Sequence, residues 1–67
     1  EYYQILADLG NSDAINTLGI LYEEGKGVEQ SYEIAIEYYK KAVDQGNDNA
    51  MNNLGNLYKE GRGFMQS

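Results

Sequence analysis

The sequence repeats itself after 36 positions, and this internal period limits the fold more than any other feature of the chain. When residues 1–31 are aligned with residues 37–67, 17 of the 31 pairs are identical. The matched pairs include Glu1/Glu37, Tyr2/Tyr38, Tyr3/Tyr39, Asp8/Asp44, Gly10/Gly46, Asn11/Asn47, Leu18/Leu54, Gly19/Gly55, Leu21/Leu57, Tyr22/Tyr58, Gly25/Gly61, Gly27/Gly63, Gln30/Gln66 and Ser31/Ser67. A period of this length is the signature of a solenoid, whose units bury their apolar faces against their neighbours.

The first half of each unit predicts an amphipathic helix. Its apolar residues recur at spacings of four, seven and eight, which place them on one face of a 3.6-residue helix. They are Ala14, Leu18, Leu21 and Tyr22. Asn11 or Ser12 can cap the start with a side-chain oxygen. The helix should end near Glu24, because Gly25 and Gly27 permit a positive φ that other residues resist.

The second half of each unit predicts another helix, which begins after Ser31 as its cap. A single apolar stripe of this helix is expected to contain Ala35, Tyr38 or Tyr39, Ala42 and Val43. Gly46 is well placed as the left-handed residue that ends this helix, and Asn47 opens the next unit. The chain has no proline that would break either helix.

Glycine inside the first helix indicates close packing. Gly19 costs about 1 kcal/mol relative to alanine at a helix-interior position, and it recurs as Gly55 in the second copy. Such a glycine lets a neighbouring helix approach closely. The small residues Ala14, Ala35 and Ala42 are expected to face the bulky Tyr22 and Tyr39 and to complete this packing.

Three segments of this unit resemble a known family. They are Leu18-Gly19-Ile20-Leu21-Tyr22, Gly25-Lys26-Gly27-Val28 and Tyr38-Tyr39-Lys40-Lys41-Ala42. Together they are similar to the Sel-one-like repeats, which are relatives of the tetratricopeptide repeats, and the likeness covers the whole chain. Departures from the family pattern are modest: Ser31 stands for an aspartate, Ile34 for a lysine, Tyr38 for a tryptophan and Val43 for an alanine. The resemblance implies an all-α fold, an α-α superhelix that is a right-handed solenoid of antiparallel helix pairs.

The alignment also predicts how the chain divides. Residues 1–10 correspond to the end of a second helix, residues 11–46 to one complete repeat, and residues 47–67 to the first helix and loop of a following repeat. About three stacked repeats are usually needed to bury a continuous core. We therefore expect the parent protein to be a longer array, and we expect the isolated 67 residues to be weakly folded.

The charge and composition exclude several classes of function. Eleven acidic and five basic residues give a net charge of −6, which argues against nucleic acids and anionic membranes because their phosphates attract positive patches. No apolar run approaches membrane-spanning length. The compartment is left open by the sequence, with the cytoplasm favoured.

Candidate chemistry is scarce in this chain. It contains no His and no Cys, so neither the usual catalytic triads nor an ordinary zinc site can be built. Helix capping explains Ser12, Ser31 and Ser67, and the glycine–lysine loop at 25–27 matches neither phosphate-binding pattern. The chain is therefore predicted not to be an enzyme and to need no cofactor or metal.

The resemblance implies instead a binding surface on the concave wall, which is lined by first helices in tetratricopeptide-like arrays. The inward-facing candidates for partner binding are Asn16, Thr17, Ile20, Glu23 and Glu24, with their equivalents Asn52, Asn53, Asn56, Lys59 and Glu60. A column of asparagines can hydrogen-bond the backbone of a peptide whatever its sequence, because an amide both donates and accepts. A contact role for Tyr32, as opposed to a packing role, also stays open.

These expectations favour a non-enzymatic scaffold or adaptor that binds protein or peptide partners. The resemblance implies such roles, since Sel-type arrays act in membrane-associated ubiquitin-ligase complexes and bacterial signalling systems. A regulatory array fused to a catalytic domain such as a kinase is an alternative, and packing between neighbouring solenoids is another. A hydrolase of the type found in secreted Cys-rich Sel-type proteins, which are linked to β-lactams, is disfavoured by the absence of Cys.

Overall fold

A computed structural model of the chain describes residue 5 and residues 7–61. It contains three complete helices, which are α1 (Ser12–Glu24), α2 (Tyr32–Asp44) and α3 (Asp48–Glu60). Ile5, Ala7 and Asp8 are also helical, and no strand occurs in the described part of the chain. The all-α prediction is confirmed. Tyr2, Tyr3, Gly63 and Ser67, which the internal repeat pairs with later or earlier positions, fall outside the described residues.

Side-chain oxygens cap all three helices where the sequence places polar residues. Asn11 Oδ1 accepts a hydrogen bond from the backbone N–H of Ala14 at 3.0 Å, so Asn11 and not Ser12 caps α1. Ser31 Oγ accepts from the N–H of Ile34 at 3.2 Å. Asn47 Oδ1 accepts from the N–H of Ala50 at 2.9 Å. Each bond satisfies one of the backbone donors that an α-helix leaves without an intrahelical partner.

Glycines in the left-handed region follow the helices. Gly25 ends α1 with a φ of 71°, and Gly61 ends α3 with a φ of 70°. Gln45, which follows α2, has a φ of −95°, and the next residue, Gly46, has a φ of 85°. A β-carbon is strained at such angles, so the predicted helix ends are confirmed.

The core forms where α2 packs on both α1 and α3. Seven buried residues make one cluster: Ile15, Ala35, Ile36, Tyr39, Ala42, Ala50 and Leu57. Of the two tyrosines that the stripe of α2 left open, Tyr39 is fully buried. Tyr38 is half-buried and stacks on Tyr22, with their ring centroids 5.7 Å apart.

The expectation that Ala14 packs opposite Tyr22 and Tyr39 is wrong in one respect. Ala14 is buried, but it does not belong to the cluster around Tyr39; Ile15 does. Successive helix residues point about 100° apart around the axis. Ala14 therefore lies on a different face of α1 from the one that contacts α2.

Close packing between α1 and α2 depends on Gly19. A β-carbon placed on Gly19 would lie 2.5 Å from Cε1 and 2.6 Å from Cδ1 of Tyr39. Real β-carbons do not approach other atoms this closely, so the tyrosine ring occupies the space that a side chain would need. The equivalent Gly55 has nothing within 4 Å of its β-carbon position. Its expected close contact is not found among the described residues.

No described helix is long and apolar enough to cross a membrane.

The two glycines predict opposite effects of the same substitution. Gly19→Ala should lower the free energy of unfolding by about 1–3 kcal/mol, because a buried ring must move to admit the methyl group. Gly55→Ala is the matched control, and should raise that free energy by up to about 1 kcal/mol through helix propensity alone. Urea denaturation followed by circular dichroism measures both. Equal effects at the two positions would contradict the packing described above.

Candidate functional site

An amide pair joins the first helices of the two repeats. Asn53 Nδ2 on α3 donates a hydrogen bond to Asn16 Oδ1 on α1, and the two atoms are 3.0 Å apart. Asn16 is buried and only 8% exposed, whereas Asn53 is half-buried. A buried amide needs such a partner because leaving its oxygen unsatisfied would cost about 1–3 kcal/mol. This bond fixes the spacing between two helices that lie 37 residues apart in the chain.

A second asparagine connects the same two helices at their starts. Asn47 Nδ2 donates to Asp13 Oδ1 at 2.9 Å and to Ser12 Oγ at 3.3 Å. The same side chain caps α3 through its Oδ1, so both ends of the amide are engaged. Asn47 is 7% exposed. The sequence predicted that Asn47 opens the following unit, but it did not predict the bonds from Asn47 to α1. The identity of Asn47 with Asn11 across the 36-residue period is the signal that points to this position.

Tyr39 has a polar contact at the end of its buried ring. Its hydroxyl donates to Glu23 Oε1 at 2.6 Å. Burial of the ring is the largest cause that raises the pKa of the Tyr39 hydroxyl far above its usual value, and the carboxylates of Glu23 and Glu24 raise it further. Tyr39 therefore stays neutral across the ordinary pH range and keeps Glu23 against α2.

The structure separates the predicted partner-binding residues into three groups by exposure. The exposed residues are Glu24, Asn52, Asn56, Lys59 and Glu60; the half-buried residues are Thr17, Ile20, Glu23 and Asn53; Asn16 is buried. Asn52, Asn56 and Lys59 follow one another at one-turn spacings along α3, so they share a face. This exposed row is called the amide row below.

Several of the half-buried candidates already have contacts within the chain. The Thr17 hydroxyl donates to the backbone carbonyl of Asp13 at 2.9 Å. Ile20 packs against the core cluster. Glu23 accepts a hydrogen bond from Tyr39, and Asn16 accepts one from Asn53. The residues on the α1 side of the surface therefore contribute more to holding the fold together than the sequence suggested. Whether any of these residues contacts a partner stays a prediction.

Tyr32 also packs against the core cluster and is half-buried. The structure thus gives it a packing role, and a further contact role stays a prediction.

A groove that the sequence did not indicate lies beside the loop between α1 and α2. It is lined by Tyr22, Val28, Glu29, Gln30, Ser31 and Ile34. Gln30 Nε2 donates to the backbone carbonyl of Glu23 at 3.2 Å, which holds the loop against the end of α1. Within the described residues, no group of carboxylates, histidines or cysteines is arranged to hold a metal ion.

Comparison with known proteins identifies a family and a similar solved structure. The model of the Sel1 repeat matches residues 1–11, 12–47 and 48–67. A solved structure, c5321, described as a protective antigen present in uropathogenic Escherichia coli strains displaying an SLR fold, is 40% identical with a TM-score of 0.90. The match covers 94% of this chain and 14% of that protein. No curated protein matches the chain.

Removal of the Tyr39 hydroxyl should destabilise the fold by an amount that depends on pH. Tyr39→Phe should lower the free energy of unfolding by roughly 1–2 kcal/mol, because a bond to a charged but half-exposed carboxylate is lost. The folded-state pKa of Tyr39 lies above its unfolded value of about 10, so the neutral phenol stabilises the fold below pH 10. That contribution declines as the pH rises above 10.

Denaturation at pH 8 and at pH 11 tests this sign. The difference in the free energy of unfolding between the original chain and Tyr39→Phe should be smaller at pH 11 than at pH 8. At pH 11 the tyrosine of the unfolded chain ionises, whereas a phenylalanine cannot. Glu23→Gln keeps an oxygen acceptor and should cost less than Tyr39→Phe. A larger difference in the free energy of unfolding at pH 11 would contradict the conclusion that Tyr39 is buried as a neutral phenol.

Asn47 should be more important for stability than its equivalent Asn11. Asn11→Ala removes the capping bond of an exposed residue and should cost about 1 kcal/mol. Asn47→Ala removes the same capping bond and also leaves Ser12 and Asp13 without their donor, so its cost should be larger by about 1–2 kcal/mol. Thermal melting of the two variants measures this difference. Equal losses would show that the bonds to α1 contribute nothing.

Proposed function

Because the chain belongs to the Sel1 repeat family, we propose that it is a scaffold module that binds partner proteins on the surface formed by α1 and α3. Its fold is a helical repeat of a class that commonly mediates protein interactions and is generally non-catalytic. The residues proposed to make the contacts belong to the amide row, Asn52, Asn56 and Lys59, with Asn53 and the α1 residues Thr17, Ile20 and Glu23 beside it.

The observation that carries this function is the exposure of two amides on one face of α3. Asn52 and Asn56 are exposed and lie one turn apart. An amide can donate to a backbone carbonyl and accept from a backbone N–H. Two amides at this spacing suit an extended segment of a partner, whose backbone groups repeat at about 3.3 Å per residue.

The bond between Asn16 and Asn53 supports the same surface indirectly. It fixes α1 beside α3 at the level of the amide row. A surface that is already ordered loses less conformational entropy when a partner binds. Asn16 itself is buried and bonded, so we propose that it supports the surface and that Asn52 and Asn56 make the direct contacts.

The net charge of −6 favours protein or peptide partners over nucleic acid, because phosphate groups would be repelled. Lys59 adds a positive charge at the end of the amide row, where it can meet a carboxylate of the partner. The division of the chain into one complete repeat at 11–46 with partial repeats on each side stays part of this proposal.

A peptide selection tests the surface directly. Peptides would be selected from a random library on the immobilised chain, and the binders would then be titrated against variants. The double variant Asn52→Ala/Asn56→Ala should weaken binding by about 5- to 150-fold, since each of the two lost hydrogen bonds contributes about 0.5–1.5 kcal/mol. Methylation of the peptide's backbone nitrogens should weaken binding in the same way.

Asn49→Ala is the matched control, because Asn49 is an exposed asparagine of the same helix outside the amide row. It should leave the affinity unchanged. If the double variant bound every selected peptide as tightly as the control does, the amide row would not be the binding surface.

A further inference from the structure

The groove beside the loop between α1 and α2 has two apolar walls. One wall is the ring of Tyr22, which stacks on Tyr38 with their ring centroids 5.7 Å apart. The other wall is formed by Val28 in the loop and by Ile34 in the first turn of α2. These lining residues and the polar ones between them, Glu29, Gln30 and Ser31, define what is called the loop groove below.

Hydrogen bonds hold the loop in place in the absence of a partner. The backbone N–H of Ser31 donates to the carbonyl oxygen of Tyr22 at 2.8 Å. Gln30 Nε2 donates to the carbonyl oxygen of Glu23 at 3.2 Å. Gly25 starts the loop with a φ of 71°, and a β-carbon there would lie 2.8 Å from Cβ of Gln30. The walls of the loop groove therefore need little further ordering when a partner binds.

Ile34 distinguishes the loop groove from the family pattern, which has a lysine at the same position. Ile34 is 37% exposed although its side chain is large and apolar. A lysine would bring an ammonium group to the groove. The isoleucine removes that positive charge and adds apolar surface. The loop groove of this chain is therefore more apolar and more negative than the family pattern implies.

Carboxylates border the loop groove. Glu29 lines it, and Glu37 stands one turn after Ile34 on the exposed side of α2. Neither carboxylate forms an ion pair within the described residues, where the ammonium of Lys26 pairs with Glu24 at 3.2 Å. A cation that enters the groove therefore meets negative charge that is not already neutralised.

The tyrosine pair shows that its rings accept a cation. The ammonium of Lys41 lies 6.0 Å from the centroid of the Tyr38 ring, within the range of a cation–π contact. In the described part of the chain, no cation lies over the ring of Tyr22, which faces the groove. Arginine suits this ring better than lysine does, because a flat guanidinium can stack on a ring and donate to a carboxylate at the same time.

From these walls and charges we infer that the loop groove binds a segment of a partner protein in which a large apolar residue stands two positions from an arginine. Residues at this spacing in an extended segment point to the same side. The apolar side chain packs between Val28 and Ile34. The guanidinium stacks on Tyr22 and donates to the carboxylate of Glu29. The groove volume of about 610 Å³ is within the roughly 300–1,000 Å³ of pockets that enclose small ligands, so both side chains fit.

The occupant is a protein other than this one. A second copy carries Arg62 and Phe64 at the required spacing, but each copy also has a net charge of −6, which opposes their association. The loop groove shares no residue with the amide row and selects the opposite charge, since Lys59 meets a carboxylate and Glu29 meets a guanidinium. The inference therefore stands independently of the function proposed for the amide row.

Two blocked pentapeptides are the probes. One has leucine, alanine and arginine between terminal glycines, and the other has the same three residues in reverse order. Each is titrated to saturation into the 67-residue chain, and nuclear magnetic resonance follows the methyl groups of Val28 and Ile34 and the ring of Tyr22. At least one peptide should shift all three signals saturably. Absence of a saturable shift with both peptides would overturn the proposal.

Altered peptides separate the two parts of the interaction. Citrulline in place of arginine keeps the shape but removes the charge, and should weaken binding by about two- to fivefold because one exposed ion pair is lost. Glycine in place of leucine should weaken it by about fivefold or more, because the apolar contact is lost. Added sodium chloride should weaken the arginine peptide more than the citrulline peptide. Equal affinities for these two peptides would contradict the role of charge.

Ile34→Lys tests the groove from the side of the chain. It should weaken the arginine peptide by about fivefold or more, because it removes apolar surface and adds a charge that repels the guanidinium. Asp44→Asn is the matched control, since it changes the net charge by the same amount at an exposed position of the same helix outside the groove. It should leave the affinity unchanged within about twofold. Equal binding by Ile34→Lys and Asp44→Asn would overturn the proposal.

Glu29→Gln keeps the test decisive if Ile34→Lys disturbs the fold, which circular dichroism would show. This variant should bind the arginine peptide only as tightly as the original chain binds the citrulline peptide, and should bind the citrulline peptide unchanged. An unchanged affinity for the arginine peptide would overturn the proposal. So would shifts confined to Asn52 and Asn56, which mean binding at the amide row, or shifts of Ile34 that depend on chain concentration without peptide, which mean that a second copy is the occupant.

Discussion

The contact between the ring of Tyr39 and the backbone at Gly19 sets how closely α1 and α2 pack. A fully buried tyrosine brings a large apolar area into the core, but its hydroxyl still requires a partner. The structure meets both needs. Gly19 has no side chain and therefore leaves room for the ring. Glu23, one turn further along α1, accepts a hydrogen bond from the hydroxyl. The neighbouring Ala35 and Ala42 are small enough to let α2 approach both α1 and α3.

Polar contacts connect the first helices of consecutive repeats. Asn16 with Asn53, and Asn47 with Ser12 and Asp13, hold α1 and α3 together at two levels. Apolar contacts tolerate small slips along a helix, whereas amide hydrogen bonds require defined distances and angles. These bonds therefore fix how far one repeat is displaced from the next. They also occupy amides that the sequence alone would leave to a partner.

The sequence predicts the architecture well because its signals are local. Cap residues, left-handed glycines and the spacing of apolar residues all act within a single helix or turn, and the 36-residue period supplies the topology. The choice between Tyr38 and Tyr39 could not be made from the sequence, because one residue of rotation decides which ring faces α1. The burial of Asn16 was missed for a related reason. An asparagine facing a neighbouring helix and one facing solvent look the same in a sequence.

The two helix-interior glycines show the same limit of prediction from sequence. Gly19 and Gly55 occupy equivalent positions and are predicted alike, yet only Gly19 has a ring against it in the described residues. What a residue contacts depends on its neighbour, and no helix after α3 belongs to the described residues.

The inter-repeat bonds reach back by almost one full unit, since Asn47 bonds 35 and 34 residues upstream and Asn53 bonds 37 residues upstream. At the junction that the structure describes, the earlier unit supplies the acceptors Ser12, Asp13 and Asn16, and the later unit supplies the donors Asn47 and Asn53. Asp48 and Asn49, which stand where Ser12 and Asp13 stand, again offer oxygen atoms. An insertion within one of these helices would rotate the residues after it around the helix axis and separate the donors from their acceptors, whereas an insertion in a surface loop would leave the bonds in place. The bonds therefore restrict changes of length to the loops, which agrees with the equal length of 13 residues of the three complete helices.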